Sequence, residues 1–174
     1  MRIYEGSPRQ DWEEALRSIG AFADQEKLKE LLFMELDGGF VLQGLGFQGG
    51  GADSDNFGTT AKRTFRLSDD QVGEMMDALE ALRGSAHDDQ PHPDLLNYYE
   101  LALRIIGAYI DGQRAHDVFF FEQDGSFVQR LFGLSGAHGS NHQLAEFTKD
   151  ELLAMIYSAP AQRGKKASPS GGAE

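Results

Sequence analysis

The chain has no cysteine. Disulfides, thiolate nucleophiles and Cys-ligated zinc or iron–sulfur centres are therefore excluded, and the composition leans toward a reducing compartment. Long apolar runs are also missing. The strongest, such as Val118-Phe119-Phe120-Phe121, fall far short of the roughly 18 residues that a membrane span needs. Met1 to Asp11 has no apolar core of the kind a signal peptide carries. Positive charge is scarce: 16 Lys and Arg stand against 28 Asp and Glu, a net charge of −12. A nucleic-acid backbone repels such a chain, and no compact basic stripe offsets this, Lys165-Lys166 being a two-residue cluster. The charge reads first as a solubility device and second as a complement to a basic partner. The expectation is a cytoplasmic protein with neither nucleic acid nor membrane as partner.

Catalytic signatures are absent as well. There is no Gly-x-Ser-x-Gly elbow. His138 and His142 stand four apart, a spacing that chelates metal on a helix, but the glycines and serine around them indicate a loop, and no Glu follows His138. In the segment Gln48–Thr60, acids alternate as in a calcium loop. Phe57 occupies a ligand position, however, and Thr64 stands where the bidentate Glu belongs. The glycines of that segment are not followed by Gly-Lys-Ser/Thr, so it is no phosphate loop. It reads as a mobile loop or partner lid. No catalytic residue, metal or cofactor is expected.

What the chain does contain is a repeat. Trp12–Phe47 aligns with Tyr99–Leu134 without a gap at an offset of 87, with fifteen of 36 positions identical. Ala15-Leu16-Arg17 matches Ala102-Leu103-Arg104, and Ile19-Gly20-Ala21 matches Ile106-Gly107-Ala108. Asp24 falls on Asp111, and Glu35-x-Asp37-Gly38-x-Phe40-Val41 on Glu122-x-Asp124-Gly125-x-Phe127-Val128. The match resumes at an offset of 80, with Leu67-Ser68-x-Asp70-Gln71 over Phe147-Thr148-x-Asp150-Glu151. A period of this length is too long for a solenoid and fits two copies of a small module.

Each copy reads α-β-β-β-α. Trp12, Leu16, Ile19 and Phe22-Ala23 recur at helical spacing, as do Tyr99, Ala102, Leu103, Ile106 and Ile110. Ser7 before Pro8 reads as an N-cap with proline at N1, and Asp94 stands opposite Ser7. The second stripe, widened by Ile105 and Tyr109, predicts the more deeply buried helix. Glu30–Leu36 and Phe40–Phe47 flank Asp37-Gly38-Gly39, and Val118–Gln123 and Phe127–Leu134 flank Asp124-Gly125-Ser126. Asp-Gly is a strong hairpin signal. Third strands are expected at Thr59–Leu67 and Asn141–Phe147. Capping boxes Ser68-Asp69-Asp70-Gln71 and Thr148-Lys149-Asp150-Glu151 then open closing helices. Gly84 and Gly164 are candidate helix stops, and Pro160 predicts an early end to the last helix.

The predicted organisation is thus a first repeat (1–84), a linker (85–93), a second repeat (94–163) and a disordered tail (164–174). The two repeats pack as one α+β globular domain about a pseudo-twofold axis, with helices on one face of the sheet. One six-stranded antiparallel sheet is the preferred picture, two facing three-stranded sheets the alternative. A monomer or weak homodimer is expected.

Two retained charged pairs and a set of aromatics are candidate binding residues. Glu35 and Glu122 form a possible carboxylate pair, weighed against ordinary solvated strand-end acids and against cross-strand pairing with Arg or Lys of the partner strand. Arg17 and Arg104 form a possible anion clamp, weighed against local ion pairs to Glu13 and Glu100 at i−4. Trp12, Tyr98, Tyr99 and Tyr109 are aromatic candidates for lining a pocket between the copies, Trp12 and Tyr99 foremost, weighed against helix-to-sheet packing. The reading these features favour is a non-enzymatic protein-binding, adaptor or chaperone-like protein with a protein partner. The acidic α/β alternation resembles, at the level of architecture, the secretion-chaperone-like fold, whose members bind protein segments. The alternative is a small-molecule sensor or enzyme with a pocket between the repeats.

Overall fold

A two-residue turn demands positive φ, and both Asp-Gly steps supply it. In the computed structural model, which describes Pro8 and residues 11–48, 59–84, 97–113, 115, 117–132 and 142–163, Gly38 has φ +79° and Gly125 +81°, with Asp124 also left-handed at +52°. They join β1 (Lys29–Leu36) to β2 (Gly39–Gln48), and β4 (Asp117–Gln123) to β5 (Ser126–Phe132). Each hairpin gains a third strand, β3 (Thr59–Ser68) and β6 (His142–Phe147). All six lie in one antiparallel sheet of order β3-β2-β1-β4-β5-β6, which overturns the alternative of two facing sheets. At its middle β1 pairs with β4, Phe33 standing opposite Phe120. Their rings stack at 4.8 Å.

The helices start where side chains can take up the free amides of a first turn. For α1 (Trp12–Gln25) the N-cap is Asp11, whose carboxylate accepts the Glu14 N–H at 3.1 Å. Pro8 therefore lies a turn ahead of α1 rather than at its N1 position, its carbonyl accepting the Asp11 N–H. The other expected caps, Ser7 and Asp94, lie outside the described residues. Both capping boxes form. Ser68 and Gln71 exchange hydrogen bonds at the head of α2 (Asp69–Arg83), and Thr148 and Glu151 do so at the head of α4 (Lys149–Arg163). Gly84 closes α2 at φ +77°. Contrary to expectation, α4 runs through Pro160 to Arg163. Proline's φ is already helical, and its missing N–H removes one i−4 bond from the backbone.

The four helices pack on one face of the sheet around a core containing Trp12, Leu16, Phe33, Phe40, Phe120 and Phe127. α1 and α3 (Tyr98–Gln113) lie over the middle, with α2 beside α1 and α4 beside α3. The wider stripe of α3 does not bury it further than α1, because Ile105 and Tyr109 remain half-buried on its flank. None of the described helices is long and apolar enough to cross a membrane.

Candidate functional site

Arg17, Arg104, Glu35, Glu122, Trp12 and Tyr99 all come to the contact between the two central helices and the two central strands. α1 and α3 run antiparallel, and each ends on an aspartate that caps the other. Asp24 accepts the N–H groups of Tyr99 (3.1 Å) and Glu100 (2.9 Å). Asp111 accepts those of Trp12 (3.0 Å) and Glu13 (3.0 Å). Carboxylate at a helix N-terminus satisfies free donors and complements the dipole. The close approach this needs is made by Gly20 and Gly107. A Cβ on Gly20 would strike the backbone carbonyl of Tyr99, and one on Gly107 that of Trp12.

Arg17 does not pair with Glu13 at i−4. Its guanidinium reaches across to Glu100 of α3 (3.3 Å), to Glu14 (3.7 Å) and to the Gly84 carbonyl (2.7 Å). Arg104 reaches back to Glu13 of α1 at 4.0 Å. Arg17 thus keeps a local acid in Glu14, three residues back rather than four, but neither arginine stands on the helix surface: each lies buried at the helix contact and reaches an acid on the neighbouring helix. Glu100 also holds Arg83.

Glu35 and Glu122 are not solvated strand-end acids. Both point to the helix side, and each carboxylate accepts a backbone N–H of the opposite central strand. Glu35 takes Val118 at 3.2 Å and Glu122 takes Leu31 at 3.0 Å. Glu122 also accepts the Tyr99 hydroxyl at 2.8 Å. Burial holds the Glu122 carboxyl above its ordinary range and pushes the Tyr99 phenol up. Trp12 and Tyr99 are buried in the core, Trp12 edge-on to Phe33 and Phe40, and Tyr99 to Phe127.

A cleft of about 450 Å³ opens beside this contact, between α1, α2 and the start of α3. Phe22, Met75 and Leu79 form its apolar wall, and Asp24, Arg83 and Glu100 its polar end. Burial raises the Asp24 carboxyl to about 6, against the lowering effect of its two backbone hydrogen bonds.

Among the described residues, the other face of the sheet carries no helix. Phe33 and Phe120 point inward, so their neighbours Leu32, Met34, Phe119 and Phe121 point outward, flanked by Val41, Leu45, Val128 and Leu144. Met34 is 37% exposed, Leu36 39% and Leu144 62%. Phe119, Phe121, Val128, Arg130 and Leu144 line a groove of about 190 Å³ on this face, and Met34, Asp117, Phe119 and Arg130 help line another of about 420 Å³. Sequence reasoning missed these residues. Their signal was the unbroken runs Leu31-Leu32-Phe33-Met34 and Val118-Phe119-Phe120-Phe121, where a half-buried strand would alternate.

Among the described residues no group of three or more His, Asp or Glu could hold a metal ion. Residues 49–58, His138 and the side chain of His142 lie outside the described residues. Protein-family models, curated proteins and solved structures were all compared with the chain, and none matches it.

Proposed function

We propose that this is a non-enzymatic, protein-binding protein of adaptor or chaperone-like type that presents the face of its sheet opposite the four described helices to a protein partner. The observation that carries the proposal is the row of outward-facing apolar residues, Leu32, Met34, Phe119 and Phe121, on the two central strands. An antiparallel sheet with one solvated face ordinarily alternates apolar and polar positions. A contiguous apolar patch marks an interaction surface. Freedom from cysteine fits work in the cytoplasm.

The scaffold is, in the same proposal, a duplicated αβββα unit (1–84 and 94–163) folded about a pseudo-twofold axis through the Phe33–Phe120 pair. What supports this is reciprocity. Moving each partner by 87 residues exchanges Asp24 on Tyr99 and Glu100 for Asp111 on Trp12 and Glu13. It exchanges Arg17–Glu100 for Arg104–Glu13, and Glu35 on Val118 for Glu122 on Leu31.

The test is capture with the tagged full chain and with a Phe119→Asp, Phe121→Asp double variant whose circular dichroism matches the wild type. A stoichiometric partner held by the wild type and lost by the variant is expected. Equal recovery by both would end the proposal. The cleft beside Asp24 favours the second reading, a small-molecule site where the two halves meet. A metabolite that raises the melting temperature of the wild type but not of Leu79→Arg would support it.

A further inference from the structure

Resting on the reading of the face opposite the described helices as a protein-binding surface, we infer that its occupant is a second copy of this chain, stacked face to face with β3 of one copy over β6 of the other. Three observations lead there. The first is charge. Outward-facing positions carry Lys62, Arg66 and Arg130 against Asp117 and Glu146, a balanced set in a chain of 28 acids and 16 bases. The acids Asp69, Asp70, Glu74, Asp77 and Glu80 lie on α2, across the sheet from this face. Two acidic copies therefore meet here with little like-charge repulsion, and their acidic helices are left on the outside of the pair.

The second is the distribution of those charges. Lys62 and Arg66 lie on one edge strand, and Glu146 lies on the other. Face-to-face twofold pairing with aligned strands has two forms. An axis across the strands stacks β3 on β3, setting cation over cation. An axis along the strands stacks β3 on β6 and sets Lys62 and Arg66 against Glu146, once at each side of the pair. Electrostatic complementarity selects the second form.

The third is size. Six strands at about 4.8 Å, over a shared length of about six residues at about 3.4 Å, give a face of roughly 600 Å² on each copy. A pair then buries roughly 1,200 Å², within the range of a specific interface. Phe119, Phe121, Leu32 and Met34 at its centre have the bulk to fill the gap of about 10 Å between packed sheets.

Sedimentation velocity of the purified full chain tests this. The wild type is expected to dimerise, Arg66→Glu to raise the dimer dissociation constant roughly tenfold, and the swap Arg66→Glu with Glu146→Arg to recover most of that loss. Both positions are exposed, so the fold is not at stake in either variant. A wild type that stays monomeric at about millimolar concentration overturns the inference. So does a dimer that neither variant moves, since it forms through another surface. A monomer that still captures a foreign protein through Phe119 and Phe121 overturns the second copy as occupant and leaves the binding face standing. A monomer with no capture dependent on that face removes both.

Discussion

Gln129 on β5 is fully buried, and neither its amide oxygen nor its nitrogen has a hydrogen-bond partner among the described residues. The position that aligns with it, Leu42 on β2, is equally buried and apolar. An unpaired buried amide costs its desolvation, while a leucine of similar volume costs nothing of that kind. Gln129→Leu is therefore expected to stabilise the protein by about 1–3 kcal/mol in urea denaturation. A loss of stability would show that the amide has a function in the core. Asp24 makes a different prediction. Its carboxyl sits at about 6 when folded, above the ordinary 3.8, because burial disfavours the charge and Glu100 adds to this against Arg83. The folded state thus binds the proton more tightly. The stability this contributes is complete below 3.8 and is lost as pH rises through about 6. Glu122, also raised by burial, acts in the same direction. Urea midpoints of the wild type should fall between about pH 4 and pH 6.5 more steeply than those of Asp24→Asn, and equal slopes would contradict the assignment.

At the scale of elements, the α1–α3 contact rests on two glycines that no other residue can replace. Gly20→Ala and Gly107→Ala each drive a methyl into the backbone of the opposite helix and should each cost about 1–3 kcal/mol or more. Gly73 in α2 has open space where its Cβ would stand, so Gly73→Ala should stabilise by about 0.5–1 kcal/mol through helix propensity. Denaturation of the three variants side by side checks the pattern; equal effects would mean that propensity, not close approach, governs all three. The elements themselves were largely legible, because Asp-Gly turns and Ser68/Gln71 or Thr148/Glu151 boxes are written within four residues. The roles of Asp24, Asp111, Glu35 and Glu122 were not, since their partners lie 75 to 99 residues away. For the same reason Arg17 was legible only in its local partner, Glu14. A local rule offers Glu13 at i−4, while packing of the helices puts Glu100 nearer. The pairing of β1 with β4 is likewise a product of packing, which no turn or cap encodes. The outward apolar residues were visible as continuous runs, but a reading by periodicity assigns a strand one buried face.

For the molecule as a whole, the proposed duplication implies that each half carries a surface complementary to its own copy. In a fragment spanning 1–84, Phe33 of one chain could pair with Phe33 of another, and Asp24 could cap the Trp12 and Glu13 amides of its mate. Arg17 could reach the mate's Glu13, and Glu35 the mate's Leu31 amide, because these are the residues that align with the observed partners. Such a fragment should form a folded homodimer, with α and β circular dichroism and twice the fragment mass in sedimentation equilibrium. It lacks Glu146, so the face-to-face pairing inferred above does not contribute. Joining two halves in one chain replaces a bimolecular step with an intramolecular one, so the fragment should fold only as its concentration rises, and its melting temperature should rise with it. Gly20→Ala should abolish the fragment dimer outright, since in a symmetric pair the clash occurs twice. An unfolded fragment at all concentrations, or a folded monomer, would show that the halves are no longer interchangeable and that the contacts between β1 and β4 have become specific to each strand.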